Sequence, residues 1–331
     1  MVRGARVWER RSNQKDRMLA ISSCWNSHRH TDGGSMLCEM AELGFEWVEI
    51  SHGTSVTLFP NLIKALNIPN PPARVCGVHN FCPSPVEILI DAPDAYEFTS
   101  RRVEDRARAT KLTLKSIDTA VLLGGSYVVL HLGSARVKGR TRELEQMARE
   151  GQLHSRKYIR QKLALISDRE KASAAALRQV REALEVIVPY AREKGIRLGI
   201  ESRSHYEQIP DEHEMRALLA EFADDAGTIG YWHDFGHTQR RANLGFINHR
   251  DWVGGVASRW IGAHLHDCVW PAGDHQIPFQ GAIDFDALVP MVPVDRPLVW
   301  EISPRFRSTH IKESLAAWKS RYPQFAPSAL A

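Results

Sequence analysis

The sequence predicts an α/β fold, a single closed (β/α)8 barrel with a basic helical insertion after its fourth strand. Three observations carry the prediction. Eight short runs that are apolar almost throughout alternate with stretches whose apolar residues recur at helical spacing. Strands of that kind are buried on both faces, as in a parallel sheet. Glycines stand where several of the helices stop, and 331 residues suffice for one barrel of ordinary size. A doubly wound open sheet is the alternative arrangement. However, no Gly-x-Gly-x-x-Gly follows the first strand, so its dinucleotide-binding form lacks a signature.

Met18-Leu-Ala-Ile-Ser-Ser-Cys24 reads as the first strand. Ser35–Leu43 carries Met36, Met40 and Leu43 at helical spacing and stops at Gly44, and Phe45–Ile50 is the second strand. After the breaker Pro69-Asn-Pro-Pro72, Arg74–His79 is the third. A long helix through Val103, Ala107, Leu114, Ile117 and Val121 ends at Gly124-Gly125, ahead of the fourth strand, Tyr127–His131. Ser134–Lys171 is the basic insertion. A helix from about Ala172 to Lys194 follows, with Pro189 expected to bend its last turns and Gly195 to end it. Ile196–Glu201 is the fifth strand, and Asp211-Glu-His-Glu214 has the form of a capping box. Thr228–Trp232, Trp260–Leu265 and Pro297–Glu301 complete the eight, and a last helix runs through Ile311–Trp318. The barrel is expected over 18–322, with a disordered basic leader at 1–17 and a tail at 323–331.

Composition is that of a soluble globular protein, 43% hydrophobic and 25% charged. No apolar run approaches the length of a membrane span. The leader lacks the apolar core of a secretory signal, so the expected location is cytoplasmic. Five scattered cysteines, Cys24, Cys38, Cys76, Cys82 and Cys268, form neither a disulfide framework nor a Cys-x-x-Cys knuckle. The net charge of +4 is uneven. Basic residues crowd the leader and the insertion and leave the remainder net acidic, which argues against nucleic acid as the main partner. The insertion is either a solvated helical excursion, a contact between copies in a homo-oligomer, or a source of Lys and Arg for an anionic group on a substrate.

Barrel enzymes place their chemistry at the C-terminal ends of the strands. Those positions here hold His79, His131, Glu201, Asp234, His264 and Glu301, from strands three to eight, and Asp234 brings His237 three residues on. Any one of them has an ordinary explanation as a loop residue. Together without a cation, the three carboxylates would repel and raise one another's pKa values, a cost that a divalent metal removes. Carboxylate and imidazole donors form the mixed set that suits Mn, Zn, Co or Fe(II). Trp25, Trp47, Trp232 and Trp270 lie near strand ends and are candidates to stack on sugar C–H surfaces or to pack.

Ile196–Arg203, His233–His237, Ala263-His-Leu-His-Asp267 and Val299–Glu301 resemble the xylose-isomerase-like superfamily of TIM barrels, which includes sugar isomerases and epimerases, inosose dehydratases and endonuclease IV. The resemblance spans about residues 18 to 320. It implies one divalent cation (Mn, Co or Zn) held by Glu201, Asp234, His264 and Glu301, with His264 rather than His266 as the ligand. It implies Glu201 and Glu301 as the catalytic acid–base pair, exchanging a carbon-bound proton through a metal-stabilised enediolate. His237 and Glu207 are implied as substrate contacts. The arginine that ketose 3-epimerases carry six residues after the strand-seven histidine is Trp270 here. Endonuclease IV holds three zinc ions on the same scaffold. Its pattern matches His79 and His131, and His275 falls on a zinc-binding histidine. Gly273 then stands where an aspartate belongs, next to Asp274. In single-metal relatives such histidines bind substrate.

The leading expectation is therefore a metal-dependent sugar or cyclitol isomerase or epimerase, or a related lyase. The cation is single or joined by a second, and His79, His131 and His275 join His237 and Glu207 around the substrate. The alternative is a multi-zinc phosphodiesterase, and a third class is a barrel that binds without turnover.

Overall fold

The computed structural model describes residues 18–88 and 92–325. The predicted leader at 1–17 and residues 326–331 of the predicted tail lie outside them. Eight parallel strands close into a barrel: β1 (Leu19–Ser22), β2 (Trp47–Ile50), β3 (Arg74–His79), β4 (Tyr127–Leu130), β5 (Arg197–Glu201), β6 (Ile229–Asp234), β7 (Trp260–Leu265) and, after a hairpin, β10 (Leu298–Trp300). Each pairs with its sequence neighbours in the barrel, and β10 closes against β1 with Leu19 beside Leu298. All eight are buried almost throughout, as their apolar composition requires.

The helices α1 (Gly33–Glu42), α2 (Phe59–Leu66), α3 (Val103–Leu123), α4 (Thr141–Arg149), α5 (Arg156–Lys194), α6 (Glu212–Glu221), α7 (Phe235–Asn243), α8 (His249–Val256), α9 (Phe285–Leu288) and α10 (Ser308–Arg321) connect them. Gly124 and Gly195 end α3 and α5 in the left-handed conformation, at φ 76° and 68°. The predicted capping box opens α6, with Asp211 and Glu214 each accepting the other's backbone N–H.

Three expectations change. The insertion does not end before the next barrel helix. Its second half is the start of α5, one unbroken 39-residue helix that passes through Pro189. The insertion has its own small core, where Leu144, Met147, Tyr158 and Leu165 enclose Leu244 from the far end of α7. Tyr158 and Lys162 both donate to the Leu244 carbonyl, at 2.9 and 3.0 Å. Next, β7 is followed by an antiparallel hairpin, β8 (Asp267–Val269) and β9 (Gly273–Gln276), that the apolar periodicity did not suggest. Finally, Pro323–Phe325 belongs to the folded body rather than to a tail, because Phe325 is buried in the main core.

The barrel interior is filled below the mouth by Trp232 and Tyr127, whose rings meet at 4.6 Å. Their size demands glycine opposite. A Cβ on Gly262 would lie 2.3 Å from Trp232, and one on Gly77 2.5 Å from Tyr127.

Candidate metal centre

Of the strand-end residues, His79, His131, Glu201 and Glu301 line a cavity of about 410 Å³ at the barrel mouth, and Asp234 and His264 are buried next to them. Glu201, Asp234, His264 and Glu301 each offer a donor atom within 4.8 Å of the others, and all four are buried. Nδ1 of His264 lies 3.1 Å from Glu201 Oε1, 3.3 Å from Glu301 Oε2 and 3.7 Å from Asp234 Oδ2. The strand order β10-β7-β6-β5 brings Glu301 and Glu201 to the two sides of His264 and Asp234.

What holds these donors is as specific as the donors themselves. Nε2 of His264 is 3.0 Å from Glu49 Oε1, and Tyr127 donates to the second oxygen of Glu49 at 3.0 Å. An imidazole that gives its Nε2 proton to a buried carboxylate turns an Nδ1 lone pair toward the other acids, the usual arrangement behind a metal-bound histidine. Asp234 caps α7 by accepting from the His237 backbone N–H at 2.6 Å. His266 supports Asp234 from behind. Its Nδ1 accepts from the His275 backbone N–H at 2.8 Å, and its Nε2 donates to the Asp234 carboxylate at 3.0 Å. Both nitrogens of His266 are therefore committed to the protein, consistent with His264 as the ligand.

Two histidine groups flank the four donors. His79 donates from Nδ1 to the Asn80 carbonyl at 2.9 Å, which leaves Nε2 facing Glu201 Oε2 at 3.2 Å. His131 is held by Asp94 at 2.8 Å, and its Nε2 faces the same Glu201 oxygen at 2.5 Å. On the other side, His237 sets Nδ1 against the Ser202 carbonyl at 3.2 Å and directs Nε2 toward Asp274 at 3.9 Å. His275, with Nδ1 on the Glu301 carbonyl at 3.0 Å, adopts a left-handed backbone at φ 52°. Non-glycine residues rarely accept that conformation without a compensating role.

The charge balance favours a cation. Burial alone would raise the Glu201 carboxyl, but His131, His237 and His264 outweigh it and hold it well below the usual range. Glu301 is likewise held low against its burial by His264 and His275. Conversely, burial would lower His264, yet Glu301, Glu49 and Glu201 push it well above its ordinary value. The carboxylates facing His264 thus favour positive charge at this point. A divalent cation among the four donors supplies that charge and leaves Nδ1 as a ligand. The residues present therefore fit such an ion.

Glu201, Asp234, His264 and Glu301 are thus gathered as the sequence suggested, and His79, His131, His237 and His275 reach the same cavity. Glu207 does not. It accepts from the Thr141 N–H at 2.8 Å and from the Thr141 hydroxyl at 2.5 Å, so it caps α4 of the insertion instead of facing the cavity. Nor do the tryptophans line the cavity. Trp232 lies beneath His264, Trp25 donates to the Phe306 carbonyl, and Trp270 sits half exposed between β8 and β9. Sequence reasoning missed Glu49, Asp94, Arg203 and Arg240. Only Glu49 left a usable signal, as an acidic residue inside an apolar strand.

The profile of the family described as xylose isomerase-like TIM barrel matches residues 38–321. No curated protein is detectably similar in sequence. Among solved structures, a D-tagatose 3-epimerase-like protein superposes with a TM-score of 0.62 at 18% identity, over 93% of this chain and 98% of that one. A 3-keto-D-glucoside 4-epimerase from E. coli gives 0.61 at 16%, over 91% and 98%. An IolI protein with a bound zinc atom gives 0.58 at 15%, over 95% and 100%. At these identities the likeness is one of fold. Among the described residues, no helix is long and apolar enough to cross a membrane.

Proposed function

The chain belongs to the xylose isomerase-like TIM-barrel family, and from that premise we propose that it is a divalent-metal-dependent isomerase or epimerase of a sugar or cyclitol, or a related lyase. One observation carries the reading. Glu201, Asp234, His264 and Glu301 form a buried four-donor group in which Asp234 and Glu301 have no Arg or Lys partner among the described residues. The neighbours named for epimerases and for a bound zinc atom are consistent with it.

Bound among these donors, a divalent cation supplies Lewis-acid polarisation of adjacent hydroxyl and carbonyl oxygens, which acidifies the carbon-bound hydrogen between them. The protein does the rest. Glu201 and Glu301 approach from two sides, so one can take the proton as a carboxylate while the other, as a carboxylic acid, delivers its own proton to the opposite face, which is epimerisation. Return to the neighbouring carbon by the same carboxylate, with the hydroxyl proton passing to the former carbonyl oxygen, is isomerisation. His237 Nε2 and the outward nitrogen of His275 are positioned to orient substrate hydroxyls, and the cavity volume suits a small polar molecule.

The decisive experiment incubates the purified, metal-loaded protein in D2O with a panel of ketoses, aldoses and inososes and follows carbon-bound hydrogen exchange by NMR. We expect exchange that needs Mn, Co or Zn and is lost in Glu201→Gln. Cleavage of abasic duplex DNA, with no exchange on any sugar, would overturn the proposal. It would favour the multi-zinc phosphodiesterase, which draws its support from the two flanking histidine groups.

A further inference from the structure

Each flanking group contains an arginine within reach of its carboxylate. We propose that Arg203 and Arg240 stand in for two further cations and restrict this centre to a single metal ion. This rests on the reading above that the four-donor group holds one.

His79 Nε2, His131 Nε2 and Glu201 Oε2 lie within 4.8 Å of one another and form a ready three-donor set. The buried Arg203 enters that set. Its Nη1 contacts His131 Nε2 and lies 3.7 Å from Glu201 Oε2, while its Nη2 donates to Asp94 Oδ2 at 2.6 Å. The same Asp94 holds His131, so one aspartate fixes both the ring and the guanidinium. A guanidinium does not lose its proton in a protein, so this positive charge is permanent. A dication added beside it meets like-charge repulsion in a site with little water to screen it.

The opposite flank repeats the device with different parts. His237, His266 and His275 lie together, but both nitrogens of His266 are already committed. Asp274 is the carboxylate that could complete a set with the other two. Arg240 takes it, Nη1 to Oδ2 at 2.6 Å, and is itself anchored at 2.7 Å by the buried Glu145 of α4. The insertion thereby holds Arg240 on the site from outside the barrel. In the central group Arg203 reaches only the outer oxygen of Glu201, and Asp234 and Glu301 have no guanidinium partner among the described residues.

Equilibrium dialysis of the full chain against Zn2+ and against Mn2+, with metal counted by mass spectrometry, tests this without reference to turnover. The wild type is expected to saturate at one ion per chain. Arg203→Met should saturate at two and give the exchange-coupled Mn2+ pair signal in electron paramagnetic resonance. Arg203→Lys, which keeps a cation, should stay at one. Arg203→Met with His79→Ala should return to one, which locates the extra ion. Should Arg203→Met fail to fold by circular dichroism, Arg203→Gln removes the charge while preserving a donor to Asp94, with the same expected count of two. A wild type that holds two or three ions overturns the inference, as does a folded, uncharged variant that stays at one. A wild type that binds none sinks the underlying single-metal reading as well.

Discussion

The two flanks of the barrel mouth and its centre solve the same electrostatic problem in opposite ways. At the centre, at the ends of β5, β6, β7 and β10, three carboxylates and a histidine are buried, with no arginine on Asp234 or Glu301 among the described residues. On the flanks, Asp94 with Arg203 and Asp274 with Arg240 close their own charges in pairs at 2.6 Å. Buried acids left without a permanent partner are costly unless something else is meant to occupy the space. On the proposed reading, the difference separates the place for a ligand ion from places already filled by a guanidinium.

The largest expected effect strikes the centre. Asp234→Asn should abolish saturable Mn2+ uptake in dialysis and reduce any turnover by about a thousandfold or more, comparable to removing a principal electrostatic stabiliser. Undiminished uptake would make the centre no different from its flanks. Glu49→Gln comes next. With the fold retained, Mn2+ affinity by isothermal titration should fall by about 10- to 100-fold, since Glu49 sets the face of His264 that the ion sees.

Glu207, away from the cavity, should respond in stability instead. Glu207→Ala removes the cap of α4 and should cost about 0.5–2 kcal/mol in urea denaturation while ion affinity stays near that of the wild type. A KM effect with no stability loss would return Glu207 to the substrate.

Stability should also slope with pH. Burial holds His249 down at about 3 in the folded chain, against an ordinary value of 6.5. Between those values the unfolded chain binds a proton that the folded chain refuses, so stability is full above 6.5 and declines as pH falls toward 3. Denaturation curves between pH 7 and 4 should show this decline, and His249→Gln should make it shallower, leaving the share of His233 and His205, which burial also holds low.

Much of the centre was legible because strand ends are where apolar runs meet polar residues. Glu201, Asp234, His264 and Glu301 each sit at or next to such a boundary, and the predicted limits of β3 and β7 agree with the structure. The sixth strand runs on to Asp234 instead of stopping at Trp232, because His233 turns into a buried pocket with Tyr231 and His249. The flanks were illegible for the converse reason. Asp94, Arg203 and Arg240 come from two loops and a helix, and only the folded chain brings them together. Glu207 was misplaced because a buried glutamate near a sugar-type site and a glutamate capping a helix look alike in one dimension. The hairpin β8–β9 is too short and too polar to leave an apolar alternation.

The packed floor under the centre has a bearing on how this chain can vary. Trp232 and Tyr127 occupy the volume that side chains on Gly262 and Gly77 would need. Alanine at either glycine collides with a ring, and a smaller residue in place of either ring opens a void. Change at one position is tolerated only with compensating change at its counterpart, so these positions should travel through sequence space as matched pairs. Gly262→Ala should recover stability when combined with a smaller residue at Trp232, whereas additive losses in the double variant would dissolve the pairing.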